Sequence, residues 1–125
     1  MTELNQVYKC EICGNIVEII HAGMGQLVCC GQPMRLLKEE TKEQLKEKHL
    51  PVVKENEKGV EILIGTVEHP MEENHFIEWI EISTEKGTSK KFLNPGEKPR
   101  AQFFVKSNKI KARAYCNVHG LWAKK

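Results

Sequence analysis

No run in this sequence comes near the roughly 20 consecutive apolar residues that a helix needs to cross a bilayer. The opening residues Met1-Thr2-Glu3-Leu4-Asn5-Gln6 have neither the basic start nor the apolar stretch of a secretion signal. An excess of one charge is also missing: 19 lysines and arginines stand against 17 acidic residues, a formal net charge of +2 spread along the chain. Neither nucleic acid nor an anionic membrane is expected as a partner. No internal repeat or low-complexity tract is visible. Together these absences lead to the expectation of a cytoplasmic protein in a reducing compartment. What remains is an ordinary globular composition, 40% apolar and 29% charged over 125 residues, enough for one main domain and a small appendage.

Five cysteines in a reducing compartment do not make a disulfide framework, and their placement says more than their number. Cys10, Cys13, Cys29 and Cys30 lie within the first 30 residues, and Cys116 stands alone near the other end. Histidines show the opposite bias: only His21 is early, whereas His49, His69, His75 and His119 all follow residue 48. Soft thiolates in one segment and imidazoles in the other point to two metal sites of different chemistry.

From Val7 to about Leu37 the chain reads as short strands and tight turns. Asn15-Ile16-Val17-Glu18-Ile19-Ile20 is rich in β-branched residues, and Gly23-Met24-Gly25 turns it. Such a short segment cannot stabilise itself by a core alone, so a metal staple is expected. The charged connector from Lys38 to Glu47 reads as a surface linker. Thr41 and Gln44 fit a capping box there, opening a short helix that reaches about Lys48 and closes before Pro51. Beyond it the pattern is all-β. Strands are expected over Val60–Val67, Phe76–Ile82, Lys90–Leu93, Gln102–Val105 and Ile110–Cys116, with turns at Lys58-Gly59, Lys86-Gly87, Asn94-Pro95-Gly96 and Ser107-Asn108. That spacing predicts an antiparallel sandwich.

Cys10-Glu11-Ile12-Cys13-Gly14 is a C-x-x-C turn followed by glycine, and Cys29-Cys30-Gly31 completes a four-thiolate set. In such a turn two thiolates converge on one ion while nearby backbone N–H groups point at sulfur. Both zinc and iron fit four thiolates. Adjacent residues aim their side chains apart, so a tetrahedron that includes the vicinal pair Cys29-Cys30 is expected to be distorted. Distortion favours a tuned iron site over a structural zinc one.

The second set is weaker residue by residue. Alternation in Ile110–Cys116 puts Cys116 on the inward face with Ile110, Ala112 and Ala114, and the following turn lets His119 return towards it. His69 and His75 flank the loop His69-Pro70-Met71-Glu72-Glu73-Asn74-His75, and His49 precedes Leu50-Pro51. Each alone is more often a solvated or structural residue. Their joint occurrence at strand ends and loops, none in an apolar stripe, is what marks them. His21 lacks such company and reads as an ordinary exposed residue.

On these residues the chain resembles the desulfoferrodoxin family of two-iron superoxide reductases over essentially its full length. The first part is similar to desulforedoxin through Cys10-x-x-Cys13 and Cys29-Cys30. The rest is similar to the neelaredoxin-type catalytic domain through Glu47-Lys48-His49, His69-Pro70-Met71-Glu72-Glu73-x-His75 and Cys116-Asn117-x-His119-Gly120. The resemblance implies an all-β chain: a small desulforedoxin-like metal-binding lobe over residues 1–37, then an immunoglobulin-like antiparallel β-sandwich over 38–125. It implies two iron ions per chain. One is an Fe(Cys)4 centre on Cys10, Cys13, Cys29 and Cys30. The other is an Fe(His)4Cys centre with His49, His69, His75 and His119 around it, the Cys116 thiolate on one axis and the opposite position open.

The implied activity is one-electron reduction of superoxide to hydrogen peroxide, with an external donor such as rubredoxin restoring the ferrous state. Lys48 is then expected to attract the anion and organise proton delivery, and Glu47 to ligate ferric iron once product has left. Backbone N–H groups of Val118 and His119 are expected to point at the Cys116 sulfur. A homodimer is likewise implied by the resemblance alone. The competing possibility is a non-catalytic electron-transfer or zinc- or iron-binding module. The part played by the thiolate centre (relay, fold staple or dimer contact) is open at this level.

Overall fold

The computed structural model describes residues 1–40 and 48–124. It falls into two compact units, Met1–Lys38 and Glu39–Lys125. In the first unit β1 (Val7–Lys9) pairs antiparallel with both β2 (Ile16–Glu18) and β5 (Arg35–Leu36). A separate hairpin joins β3 (Val28–Cys29) to β4 (Gln32–Pro33). Apolar burial in this unit amounts to Val7, Cys10, Ile19 and Leu37, while Met1, Leu4, Ile12, Ile20, Met24 and Val28 are all largely exposed. At about 1.5–3 kcal/mol per buried aliphatic side chain such a core contributes roughly 5–10 kcal/mol, well short of the entropy lost in ordering the segment. The shortage anticipated from the segment's length is real.

The second unit is a two-sheet sandwich. Its strands are β6 (Glu39–Glu40), β7 (Pro51–Asn56), β8 (Gly59–Ile64), β9 (Ile77–Thr84), β10 (Gly87–Phe92), β11 (Arg100–Phe103), β12 (Lys111–Cys116) and β13 (Gly120–Ala123). One sheet runs β10-β9-β12-β13-β6 and the other β11-β8-β7. Period-2 alternation sends Val60, Ile62 and Ile64 of β8 and Ala101 and Phe103 of β11 inward from one sheet. Ile80 and Ile82 of β9 and Ala112, Ala114 and Cys116 of β12 meet them from the other. The alanines of β12 leave room for the isoleucines around them, so the strand that carries Cys116 lies at the centre of the core.

Where β12 meets β9 the ladder steps from Tyr115↔Trp79 to Cys116↔Ile77, leaving Glu78 as an extra residue on β9. This bulge lies at the position of Cys116, as bulges beside functional sites often do. On the opposite face of the same sheet the Trp79 and Tyr115 rings stack at 4.7 Å. Beside them the buried Glu81 carboxylate accepts from Trp79 Nε1 at 3.2 Å and from Arg113 at 3.0 Å. A buried carboxylate with two such donors is satisfied and holds the sheet's outer layer in register.

The all-β class read from the sequence is what the structure has, and the five strands expected after residue 58 all form, with ends shifted by a few residues. Three features differ. β7 and β13 were not anticipated, because Pro51 hid the first and the glycine turn at Gly120 hid the second. The supposed linker is partly sheet: Glu39–Glu40 forms β6 and runs parallel to β13, the single parallel pairing among the described strands. The capping residues Thr41 and Gln44 lie outside the described residues; Lys48 and His49 are helical.

Candidate metal centres

In the first unit Cys10 directly follows β1, and the chain turns back at once. The Cys13 N–H points at Cys10 Sγ at 3.4 Å, and the Gly14 N–H donates to the Cys10 carbonyl at 3.0 Å. Gly14 takes a φ of 85°, which a glycine adopts without strain. Cys10 Sγ approaches the Cys29 carbonyl at 3.7 Å, and Cys13 Sγ lies 3.6 Å from Cys29 Sγ. Glu11, inside the C-x-x-C turn, pairs with Arg35 on β5.

Vicinal cysteines were expected to diverge; the structure corrects this. Cys30 and Gly31 are the two central residues of the β3–β4 hairpin, with φ of 54° and 80°. Positive φ at both positions is the type I′ turn whose twist suits a tight hairpin. In that turn Cys30 bends back until its Sγ is 3.9 Å from Cys29 Sγ. A non-glycine residue held in the left-handed region costs about 1–2 kcal/mol. All four sulfurs lie within 4.8 Å of one another.

The thiols do not share charge evenly. The Cys13 N–H lowers the Cys10 pKa to about 6, whereas hydrogen bonding to Cys13 and the other thiols pushes Cys30 up to about 12. Cys29 is raised as well, again chiefly through Cys13. Four sulfurs this close cannot all be anionic by themselves, so four thiolates require a cation among them.

The second set gathers at one end of the sandwich. His49 leads into β7, His69 and His75 bracket the loop before β9, and Cys116 and His119 sit at the turn from β12 to β13. The four imidazoles close into a ring. Centroid distances are 4.6 Å for His49–His69, 4.8 Å for His69–His75, 5.1 Å for His75–His119 and 4.8 Å for His119–His49, each pair edge to face. His49 Nε2 is 3.1 Å from both His69 Nε2 and His119 Nδ1. Neighbouring ligands at right angles on an ion with bonds of about 2.1 Å would be about 3.0 Å apart, so the spacing fits a metal held by the ring. Cys116 Sγ lies 3.8 Å from His119 Nδ1.

His75 Nε2 supplies a second mark of a metal site: it is buried and has no hydrogen-bond partner among the described residues. Buried polar atoms are nearly always satisfied, and a lone pair aimed into a cluster of other lone pairs calls for an ion. Burial holds the His69 pKa down to about 4 and lowers that of His119, so both are neutral donors at neutral pH. His69 Nδ1 lies 2.7 Å from the Pro70 carbonyl. It is therefore the protonated nitrogen, and Nε2 is left free for a metal. The Cys116 thiol is pushed up by burial and drawn down in part by backbone N–H groups of His119 and Val118. The His119 N–H is 3.4 Å from its sulfur, as expected for the turn.

Sequence reasoning missed two supports. The Trp122 ring stacks on His49 at 4.7 Å, and its Nε1 donates to the His119 carbonyl at 3.1 Å. Asn117 bonds the loop that carries His75. Neither residue type signals metal, although Asn117 directly follows Cys116. Lys48 is exposed, Glu47 lies outside the described residues, and His21 is exposed as expected.

Family models described as desulfoferrodoxin and desulfoferrodoxin N-terminal domain match residues 41–125 and 2–37. A desulfoferrodoxin homolog of Archaeoglobus fulgidus is 56% identical over 122 residues, covering 98% of both chains. The desulfoferrodoxin of Nitratidesulfovibrio vulgaris is 54% identical over 117 residues, covering 94% of this chain and 93% of its own. Among solved structures, the superoxide reductase from Treponema pallidum superposes with a TM-score of 0.78 at 27% identity, covering 96% of each chain.

Proposed function

The chain belongs to the desulfoferrodoxin family, and from that premise we propose that it is a superoxide reductase, an oxidoreductase acting on superoxide as acceptor. The overall reaction joins superoxide, one electron and two protons into hydrogen peroxide. The observation that carries this reading is the closed ring of four imidazoles with a buried thiol beside it. Two donor clusters of different chemistry also match the two iron centres of the family. His49, His69, His75, His119 and Cys116 would hold one iron, and Cys10, Cys13, Cys29 and Cys30 the other. An iron ion held by the first set would supply one-electron redox chemistry of the kind that reduction of superoxide requires.

The chain's own residues set the conditions for that transfer. Neutral imidazoles contribute no charge of their own, so the Cys116 thiolate is the ring's one anionic donor and favours the ferric product state. His119 N–H, directed at the sulfur, moderates that push. Lys48 precedes His49 and is exposed. Its ammonium is suited to draw in a small anion and to organise water for protonation. Glu47 is assigned the resting ferric ligand by family resemblance.

Lys48→Ile is expected to slow the second-order reaction with superoxide and to flatten its dependence on ionic strength. Pulse radiolysis across a salt series measures both; identical rates and slopes would remove Lys48 from the mechanism.

A rubredoxin-type protein is the proposed electron donor, by family resemblance. A homodimer is likewise proposed by family resemblance. Five cysteines outside any disulfide agree with a cytoplasmic location. No described helix is long and apolar enough to cross a membrane, consistent with a reaction that needs none.

A further inference from the structure

His75 differs from the other three histidines in how it is held. His69 is fixed through its own Nδ1, His49 by the Trp122 ring, and His119 by the turn that begins at Cys116. No described hydrogen bond reaches the His75 Nε2. What is held is its backbone. The His75 N–H donates to the Glu72 carbonyl at 3.1 Å, and its carbonyl accepts the Glu72 N–H at 2.9 Å, closing a tight turn.

The residues on either side of His75 are bound by one side chain. Asn117 Oδ1 accepts the Phe76 N–H at 2.9 Å, and Asn117 Nδ2 donates to the Asn74 carbonyl at 3.1 Å. The Asn117 backbone N–H adds a third bond, to the Phe76 carbonyl at 3.2 Å. We propose that Asn117 is the positioning residue for His75, bracketing it through Asn74 and Phe76 and tying its loop to the turn that carries Cys116 and His119. This rests on the reading of His75 as a metal ligand and says how that ligand is kept in place.

The chemistry singles out asparagine. Its amide offers an acceptor and a donor on a single-methylene stem, which is what an N–H and a carbonyl two residues apart require. Aspartate keeps the acceptor and loses the donor. Alanine loses both, leaving only the backbone bond. Since the ring closes through His75 and its neighbour His119 at 5.1 Å, freeing the His75 loop opens the ring on the side next to Cys116.

The test uses the full chain loaded with cobalt(II) at both centres and challenged with a chelator. Loss from the histidine centre is followed by its ligand-field bands, and the thiolate centre of the same molecules serves as the reference. Asn117→Ala is expected to weaken retention at the histidine centre about 10- to 100-fold, the usual effect of losing an outer partner of a ligand. Its bands should shift while those of the thiolate centre stay put. Asn117→Asp should fall between alanine and wild type, and it carries the test if the alanine variant does not fold.

The deciding comparison is the double variant. With His75→Ala already in place, Asn117→Ala should cause no further loss, because the two act as one. An equal further loss would show a general structural role and overturn the proposal, as would unchanged retention in Asn117→Ala beside a weakened His75→Ala. If His75→Ala itself retains metal like wild type, the ligand reading fails first and the proposal falls with it.

Discussion

Cys116→Ser is expected to abolish superoxide reduction while leaving the sandwich folded, with the rate falling by at least about a hundredfold. Loss of an outer partner alone costs 10- to 100-fold, and here a ligand itself is replaced. Serine is close in size to cysteine, so the packing beside Ile77 in the core changes little. Its hydroxyl stays protonated where the thiol would ionise against a cation, so the one anionic donor of the ring is lost. A fully buried hydroxyl in this core also costs about 1–3 kcal/mol where it lacks a full set of partners. The expected result is a folded chain with somewhat lower thermal stability and no sulfur-to-iron absorption from the histidine centre. Thermal unfolding beside a visible spectrum reads both. A variant that keeps the band and the rate would remove Cys116 from the metal.

The thiolate centre should behave in the opposite way. Cys13→Ser breaks a four-sulfur set in a unit whose buried apolar side chains are Val7, Cys10, Ile19 and Leu37. A structural four-cysteine metal contributes on the order of 10 kcal/mol to the fold around it, at least as much as such a core supplies. The variant is therefore expected to lose the thiolate bands and to lose hydrogen-exchange protection across residues 1–38. The second unit has its own core, built on Val60, Ile62, Ile80 and Ile82. Its protection and its reaction with superoxide should persist. Protection retained in the first unit of metal-free Cys13→Ser would show that the lobe does not depend on its ion.

How much of this was legible in the sequence follows from how local each signal is. Cys10-x-x-Cys13 and the strands around Ile62 and Ile80 are fixed by spacing and alternation over a few residues, and they were readable. The convergence of Cys29 and Cys30 was misread because side-chain direction was inferred without the backbone. A left-handed Cys30 before Gly31 reverses the expectation. β6 was hidden because Glu39-Glu40 has no apolar face; only its pairing with β13 makes it a strand. The ring of His49, His69, His75 and His119 depends on three separate connections brought together by the sandwich, so no single stretch announces it. The roles of Asn117 and Trp122 were not readable for a related reason: they exist only through partners distant in the chain or stacked in space.

The central claim is that the histidine–cysteine centre reduces superoxide and does not dismutate it. The direct measurement is product stoichiometry with the fully iron-loaded chain, supplied with a one-electron reductant and a calibrated flux of superoxide. Peroxide and oxygen are followed together in the same cell. The account predicts one hydrogen peroxide for each superoxide consumed and no oxygen above the uncatalysed background. Oxygen evolved in step with peroxide, or consumption no faster than spontaneous decay, would contradict it.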